Sequence, residues 1–525
     1  MDNLPLLSAM IFIPLLGGCI LPLVAARTTN VGSVALFFSG AVLALSVLLW
    51  LGFDSSLGMQ FTENMRWSAM TQVRYSIGVY GISLPFVMLT ALLTFIGILL
   101  SEKTIKVRLR EYMMCFLFLE GALIGMFVAR DLILFYVFFE AVLIPMFLLI
   151  GIWGGARRIY ATFKFFLFTF MGSLFMLAAI ITIFLQAGTS DIEQITAASF
   201  DANIQTALWF CFLMAFAIKL PMWPMHTWLP DAHVEAPTAG SVMLAGVLLK
   251  MGGYGMVRLM IPLLPDACAQ FAWLMILLSV IAVVYASLVA LAQEDMKKLI
   301  AYSSVAHMGF VTAGLFTFET LGAQGAVFQM LSHGLVSAAL FICVGCLQKR
   351  GNTRQIDAFE GVAPQMPMFG VFAMIFTLAT IGVPGTSGFI GEVMVLMGLF
   401  QVSGMFSWML GLSLVLGAGY SLWLYKRVFF GKTNQLVQQF RDLKKHELVA
   451  LGVLGVSVLF LGIYPRPALN MIGPAVEEMQ QKFRAGLKDK SKAAAHFVSY
   501  GSQGRAKIGA GEIRSQTSRS QQREW

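Results

Sequence analysis

Charge is scarce in this chain. Only 12% of its 525 residues are Asp, Glu, Lys or Arg, against 58% hydrophobic residues, and the mean hydropathy is +0.79. A soluble protein of this length lacks the interior to hide so much apolar surface, so a soluble enzyme is excluded. The net charge of +9 comes from loops and a basic tail, and no basic domain stands apart from the apolar runs. That excludes a nucleic-acid-binding module. Cysteine is also sparse. The six are scattered, and Cys343 and Cys346 lie inside the apolar "LFICVGCL" with no second pair near them in sequence. Packing is the better reading of that pair than redox chemistry or metal binding. "FGKT" at Phe430 lacks the upstream glycine of a phosphate loop. No dinucleotide, haem or iron–sulfur motif is present.

What the chain does have is apolar runs of membrane-spanning length. Fourteen are predicted, the fifth over 132–150, the seventh over 204–221, the eighth over 237–260 and the twelfth over 366–400, interrupted at "VPGTSG". The first follows Asp2 without a basic n-region, so it reads as a retained helix and not a cleaved signal. The fold class is therefore an all-α polytopic membrane protein. The basic loops "SEKTIKVRLR", "GGARRIYATFK", "QKRGNTRQ" and "YKRVFFGKT…RDLKKHE" follow odd-numbered helices. They share one face, which the positive-inside rule assigns to the cytoplasm or matrix.

Six ionisable residues fall within the predicted spans and frame the candidate site: Glu140, Lys219, Lys250, His307, His333 and Glu392. An ionised group at mid-membrane costs about 2.5–3.5 kcal/mol on insertion scales. Such groups face the protein interior, pair with one another, or serve ion movement. Lys219 stands beside Pro221 and Pro224, so the carbonyls of Ala217 and Leu220 are expected to lose their helical partners. Lys250 is followed by "MGGYG", which should weaken the helix there. Pro384 breaks the twelfth helix about two turns before Glu392. Paired broken helices in corresponding positions point to an inverted repeat around an ion path. Burial lowers a lysine's proton affinity and raises a carboxylate's, while an opposite charge restores both. Histidine titrates near neutrality and offers two ring nitrogens. A Glu, Lys, Lys, His, His, Glu series therefore suits proton relay. A lone Glu–Lys pair could serve as structural glue, though less readily than as a site, and a lone His333 reads as readily as a satisfied core histidine; six such residues, several beside breaks, do not. His226, Asp231, His233 and Glu235 resemble a metal cluster by type, but their spacing among Pro230 and Pro237 favours capping and loop packing.

These residues carry a resemblance. "FAIKLPMWPMHTWLPDAHVEAPTAGSVMLAGVLLKMGGYG", "DMKKLIAYSSVAHMGF", "MLSHGLVSAALF", "PGTSGFIGE" and "FYVFFEAVLIPMF" resemble the antiporter-like membrane subunits of NADH dehydrogenase (respiratory complex I), and among them the subunit 4, or bacterial chain M, branch. The resemblance implies about fourteen transmembrane helices, with helices 4–8 and 9–13 as inverted five-helix repeats and helices 7 and 12 broken. It divides the chain into N-terminal helices (1–110), a first repeat (111–265), a second (266–431), a C-terminal helix (432–466) and a polar basic tail (467–525). It implies proton translocation driven by quinone reduction elsewhere, as part of an H+-translocating NADH:ubiquinone reductase. Glu140 resembles the helix 5 glutamate, Lys219 its helix 7 partner, Lys250 the central lysine, and His307 and His333 the connecting histidines. Glu392 resembles the helix 12 glutamate that the sister subunits usually replace with lysine. No cofactor is expected in this chain; NAD, FMN, iron–sulfur clusters and quinone belong to other subunits. Expected partners are the other membrane-arm subunits and lipid, in a bacterial plasma membrane or mitochondrial inner membrane. The rival readings are a subunit of a related cation/proton antiporter or membrane-bound hydrogenase, and a purely structural scaffold.

Overall fold

The computed structural model describes residues 5–25, 30–66, 73–198 and 200–487. Among the described residues, twelve helices are long and apolar enough to cross a membrane, fewer than the fourteen expected. Two of the expected spans make the difference. Met296–Leu315 is 20 residues long, but Lys297, Lys298, Ser303, Ser304 and His307 make it more polar than the rest. The twelfth splits into Pro367–Ile381 and Ser387–Val402, of 15 and 16 residues. Each half is shorter than the roughly 20 residues a span needs.

Each break has a local cause. Pro384 has no N–H to offer the Thr380 carbonyl, and Gly382 takes φ +77, a left-handed conformation that a side chain would disfavour. The Leu132–Trp153 span is interrupted at Val142, three residues before Pro145. Its start is fixed by Asp131, whose carboxylate accepts from the N–H groups of Ile133 and Leu134 at 2.9 and 3.1 Å. The Ala202–Lys219 helix stops at Lys219, as Pro221 requires. Of the two carbonyls expected to be freed, that of Ala217 is not left open, and neither is that of its neighbour Ile218. Met222 N–H donates to the Ala217 carbonyl at 2.8 Å, and the Trp228 indole N–H donates to the Ile218 carbonyl at 2.9 Å. The chain mends its own break, as it must where lipid offers no donor.

Burial sorts the helices. Thr238–Leu263 and Thr320–Gly351 are both 94% buried and form the centre of the bundle, whereas Val31–Gly52 is 28% buried. The outer helices expose Phe37, Leu51, Trp408 and Val415, an apolar surface suited to lipid. Two elements outside the spans were not foreseen. Gln60–Arg66 pairs antiparallel with Arg74–Val79 as a hairpin between the second and third spans. Arg466–Gly486 is a helix, although the polar tail was placed from residue 467. Ile472, Val476, Met479 and Phe483 recur on one helical face and are buried, so polar composition hid an amphipathic element. The remainder of that tail, 488–525, lies outside the described residues.

Candidate functional site

The centre of the site is Lys250, fully buried midway along Thr238–Leu263. The glycines after it do not end the helix. Two π-helical turns, Leu244–Leu248 and Met256–Met260, flank the lysine instead. Such turns shift carbonyls away from their regular donors and occur often at functional sites. Here the Lys250 ammonium donates to the Ala245 carbonyl inside the first π turn. It also lies 2.8 Å from His333 Nδ1. An ammonium has no acceptor, so Nδ1 accepts whenever Lys250 carries its full complement of protons.

From His333 the polar contacts run on. The His333 and His307 rings are 5.5 Å apart, centroid to centroid. His307 Nδ1 is 2.9 Å from Glu392 Oε1; the distance is that of an ion pair, although the N–H is not aligned as a hydrogen bond. Gln329 Nε2 donates to the same carboxylate oxygen at 3.1 Å. Gly382 makes room for the other, since a Cβ there would sit 2.6 Å from Glu392 Oε2. Two cavities of about 10 Å³ flank the chain, one lined by His307, His333, Ser303 and Ser332, the other by His307, Glu392 and Tyr420. Each is roughly the space one water occupies.

Glu140 and Lys219 are arranged differently. Lys219 is buried, and its ammonium lies 5.0 Å from the Phe139 ring centroid and 5.9 Å from that of Phe165. Glu140 is half-buried, meets the Ser173 hydroxyl and is close enough to feel the Lys219 charge. The expected Glu–Lys contact is not made: no ion pair within 4 Å joins the two residues. The aromatic faces take the place of the carboxylate, an interaction worth about 0.5–2 kcal/mol. Gly252 brings the Lys250 helix onto this end of Ala202–Lys219, because a Cβ there would lie 2.5 Å from the Phe216 carbonyl oxygen.

The short Trp228–Glu235 helix resolves the residues that resembled a metal cluster. Asp231 pairs with Lys164 at 2.7 Å, Glu235 accepts from Arg157 N–H at 2.8 Å, and His226 packs against Tyr285. Among the described residues no group of three or more His, Cys, Asp or Glu is placed to hold a metal. Two of the buried charges that the sequence reading did not single out stand out. Glu120 is fully buried and accepts from the Ser39 hydroxyl at 3.2 Å; its isolation in "FLFLEGALIG" was a legible signal. Lys297 is also fully buried. Its place in the "KK" that opens a helix disguised it as a loop charge.

The geometry can be set beside known proteins. Residues 129–417 match the family described as NADH:quinone oxidoreductase/Mrp antiporter, TM. NADH-quinone oxidoreductase subunit M of Rhodobacter capsulatus is 47% identical, over 93% of this chain and 99% of its own. NADH-ubiquinone oxidoreductase chain 4 of Marchantia polymorpha is 45% identical, over 90% of this chain and 97% of its own. Among solved structures, a chain of respiratory complex I from Thermus thermophilus is 31% identical with a TM-score of 0.84, covering 91% of this chain and 99% of that one. A chain of the Mrp complex from Dietzia is 20% identical with a TM-score of 0.83, covering 94% and 99%. That last likeness is one of fold alone.

Proposed function

This chain belongs to the NADH:quinone oxidoreductase/Mrp antiporter family of membrane subunits, and on that premise we propose that Glu140, Lys219, Lys250, His333, His307 and Glu392 carry protons in series through its interior. The chain is a proton-translocating membrane-arm subunit of an NADH:quinone oxidoreductase, a multi-pass protein of an energy-transducing membrane. The redox chemistry, with its NAD, FMN, iron–sulfur clusters and quinone, belongs to other subunits, and its partners are the neighbouring membrane-arm subunits. Residues 111–265, which include Lys250, and residues 266–431 act as two inverted repeats.

The observation that carries the relay is the contiguous run Lys250, His333, His307, Glu392. A proton leaves the Lys250 ammonium for His333 Nδ1. His333 releases one from Nε2, which is buried and free of any protein partner. His307 accepts it and passes one to Glu392. Each hop longer than a hydrogen bond needs one intervening water. Glu140 sets the readiness of Lys219 by its distance, since approach of the carboxylate holds the proton and withdrawal releases it.

The test uses membranes carrying the whole complex. Lys250→Met and Glu140→Gln should assemble and keep NADH:ferricyanide activity, which reports the hydrophilic arm. Both should lose most of their NADH-driven proton pumping, read by quenching of a ΔpH dye. Normal pumping in both would sink the relay. Recovery of the chain with multisubunit antiporter partners, and without the NADH-oxidising arm, would count against the assignment to complex I.

A further inference from the structure

One buried histidine and one buried lysine remain outside the series just described. His233 is fully buried, and neither ring nitrogen has a partner. Leaving two buried polar atoms unmatched is costly, about 1–3 kcal/mol each, so the position calls for a reason. The ring is held by stacking on Phe341, 4.5 Å between centroids at 11°. Lys297, Lys250 and His333 all lie close enough to interact electrostatically with it.

Lys297 is positioned with care. Asp295 caps its helix, accepting from Lys297 N–H at 2.8 Å, and is held in turn by Arg354 at 3.0 Å. The Lys297 ammonium donates to the Ala236 carbonyl at 2.8 Å, three residues beyond His233. The same lysine lines a cleft of about 340 Å³. Residues from all four basic loops contribute to that cleft, among them Thr104, Gly155, Arg354 and His446. It therefore opens on the face that the positive-inside rule assigns to the cytoplasm or matrix, the side from which a respiratory pump must draw its protons.

We propose that Lys297 and His233 form an uptake arm that delivers protons from this cleft to Lys250 and His333. The inference rests on the relay proposed above and adds its inlet. Lys297 takes a proton from water in the cleft and gives one to a His233 nitrogen. His233 releases a proton from its other nitrogen toward Lys250 or His333 and then re-equilibrates its tautomers. No net charge stays behind, because each group returns to its starting state. Both His233 nitrogens are free of protein partners, which leaves one to receive a proton and the other to release one.

The experiment separates a carried proton from a needed charge. In assembled complex, Lys297→Arg keeps a cation and a donor to Ala236 but does not release its proton. Lys297→His keeps a titratable group. Lys297→Arg should cut NADH-driven proton pumping about 10-fold or more, on the low side of what a positioned acid–base group contributes, and Lys297→His should restore a large part of it. His233→Phe, which preserves the stacking on Phe341, should behave like Lys297→Arg, and His233→Gln provides the same reading if the phenylalanine does not assemble. Wild-type pumping in Lys297→Arg, or in either assembled His233 variant, overturns the uptake arm. So does loss of assembly in both His233 variants alongside full pumping in Lys297→Arg. Lys250→Met run in parallel keeps the two ideas apart: if it pumps normally the relay itself fails, whereas if it is dead while the Lys297 and His233 variants pump normally only the inlet fails.

Discussion

The two ends of the buried series are built on opposite plans. From Lys250 to Glu392 the polar groups follow closely, with Lys250–His333 and His307–Glu392 at 2.8 and 2.9 Å, the two rings 5.5 Å apart, and cavities for single waters beside them. Around Lys219 the ammonium is boxed by Phe139 and Phe165, and its carboxylate stands off. A contiguous chain passes a proton with little rearrangement. A cation against aromatic faces holds its proton until something moves. In the proposed relay, this difference would put the controllable step at the Glu140–Lys219 end and the conducting step at the other.

Four sets of variants test that contrast, in order of decreasing expected effect. Lys250→Met removes the junction of both ends and should lower coupled proton pumping about 100-fold, measured as initial rate in vesicles at matched complex content. Gly252→Ala drives a Cβ into the Phe216 carbonyl and should cost about 1–3 kcal/mol, seen as a lower unfolding temperature of the purified complex. Paired substitutions give the third measure. His307→Ala with Glu392→Gln should be strongly non-additive in pumping rate, with a coupling of about 0.5–3 kcal/mol, as for groups in direct contact. Glu140→Gln with Lys219→Met should come much closer to additive; equal coupling in the two pairs would erase the distinction between the ends. Phe139→Leu should have the smallest effect, weakening the hold on the Lys219 ammonium by about 0.5–2 kcal/mol and showing as a modest change in turnover with assembly intact.

Much of this was legible in the linear chain because the membrane penalises charge. Any lysine, glutamate or histidine within an apolar run stands out; prolines add to the signal at Glu140, Lys219 and Glu392 and glycines at Lys250, whereas His307 and His333, in runs with no break, draw their weight from the others. Glu120 shows that the same signal was available and passed over. Lys297 shows where the signal fails, since a charge at a helix mouth looks like a loop charge until the fold buries it. The two π turns around Lys250 have no periodic signature, and "MGGYG" suggested a weak helix where the structure has a continuous, tightly packed one. The amphipathic Arg466–Gly486 helix was hidden because overall composition outweighs spacing when a segment is judged by its polarity alone.

From the linear chain alone follow the polytopic membrane class, the breaks at Pro221 and Pro384, and most of the ionisable residues that face inward. Those follow from local rules: hydrocarbon excludes charge, and proline cannot donate. Only the tertiary structure decided which of those residues touch. His307 and Glu392 are 85 positions apart in the chain and 2.9 Å apart in space, while Glu140 and Lys219 do not meet. Helix packing sets those distances through the close approach at Gly252, the aromatic walls at Phe139 and Phe165, and the left-handed turn at Gly382. None of these is a property of one segment alone, since each needs two helices pressed together before it has any meaning.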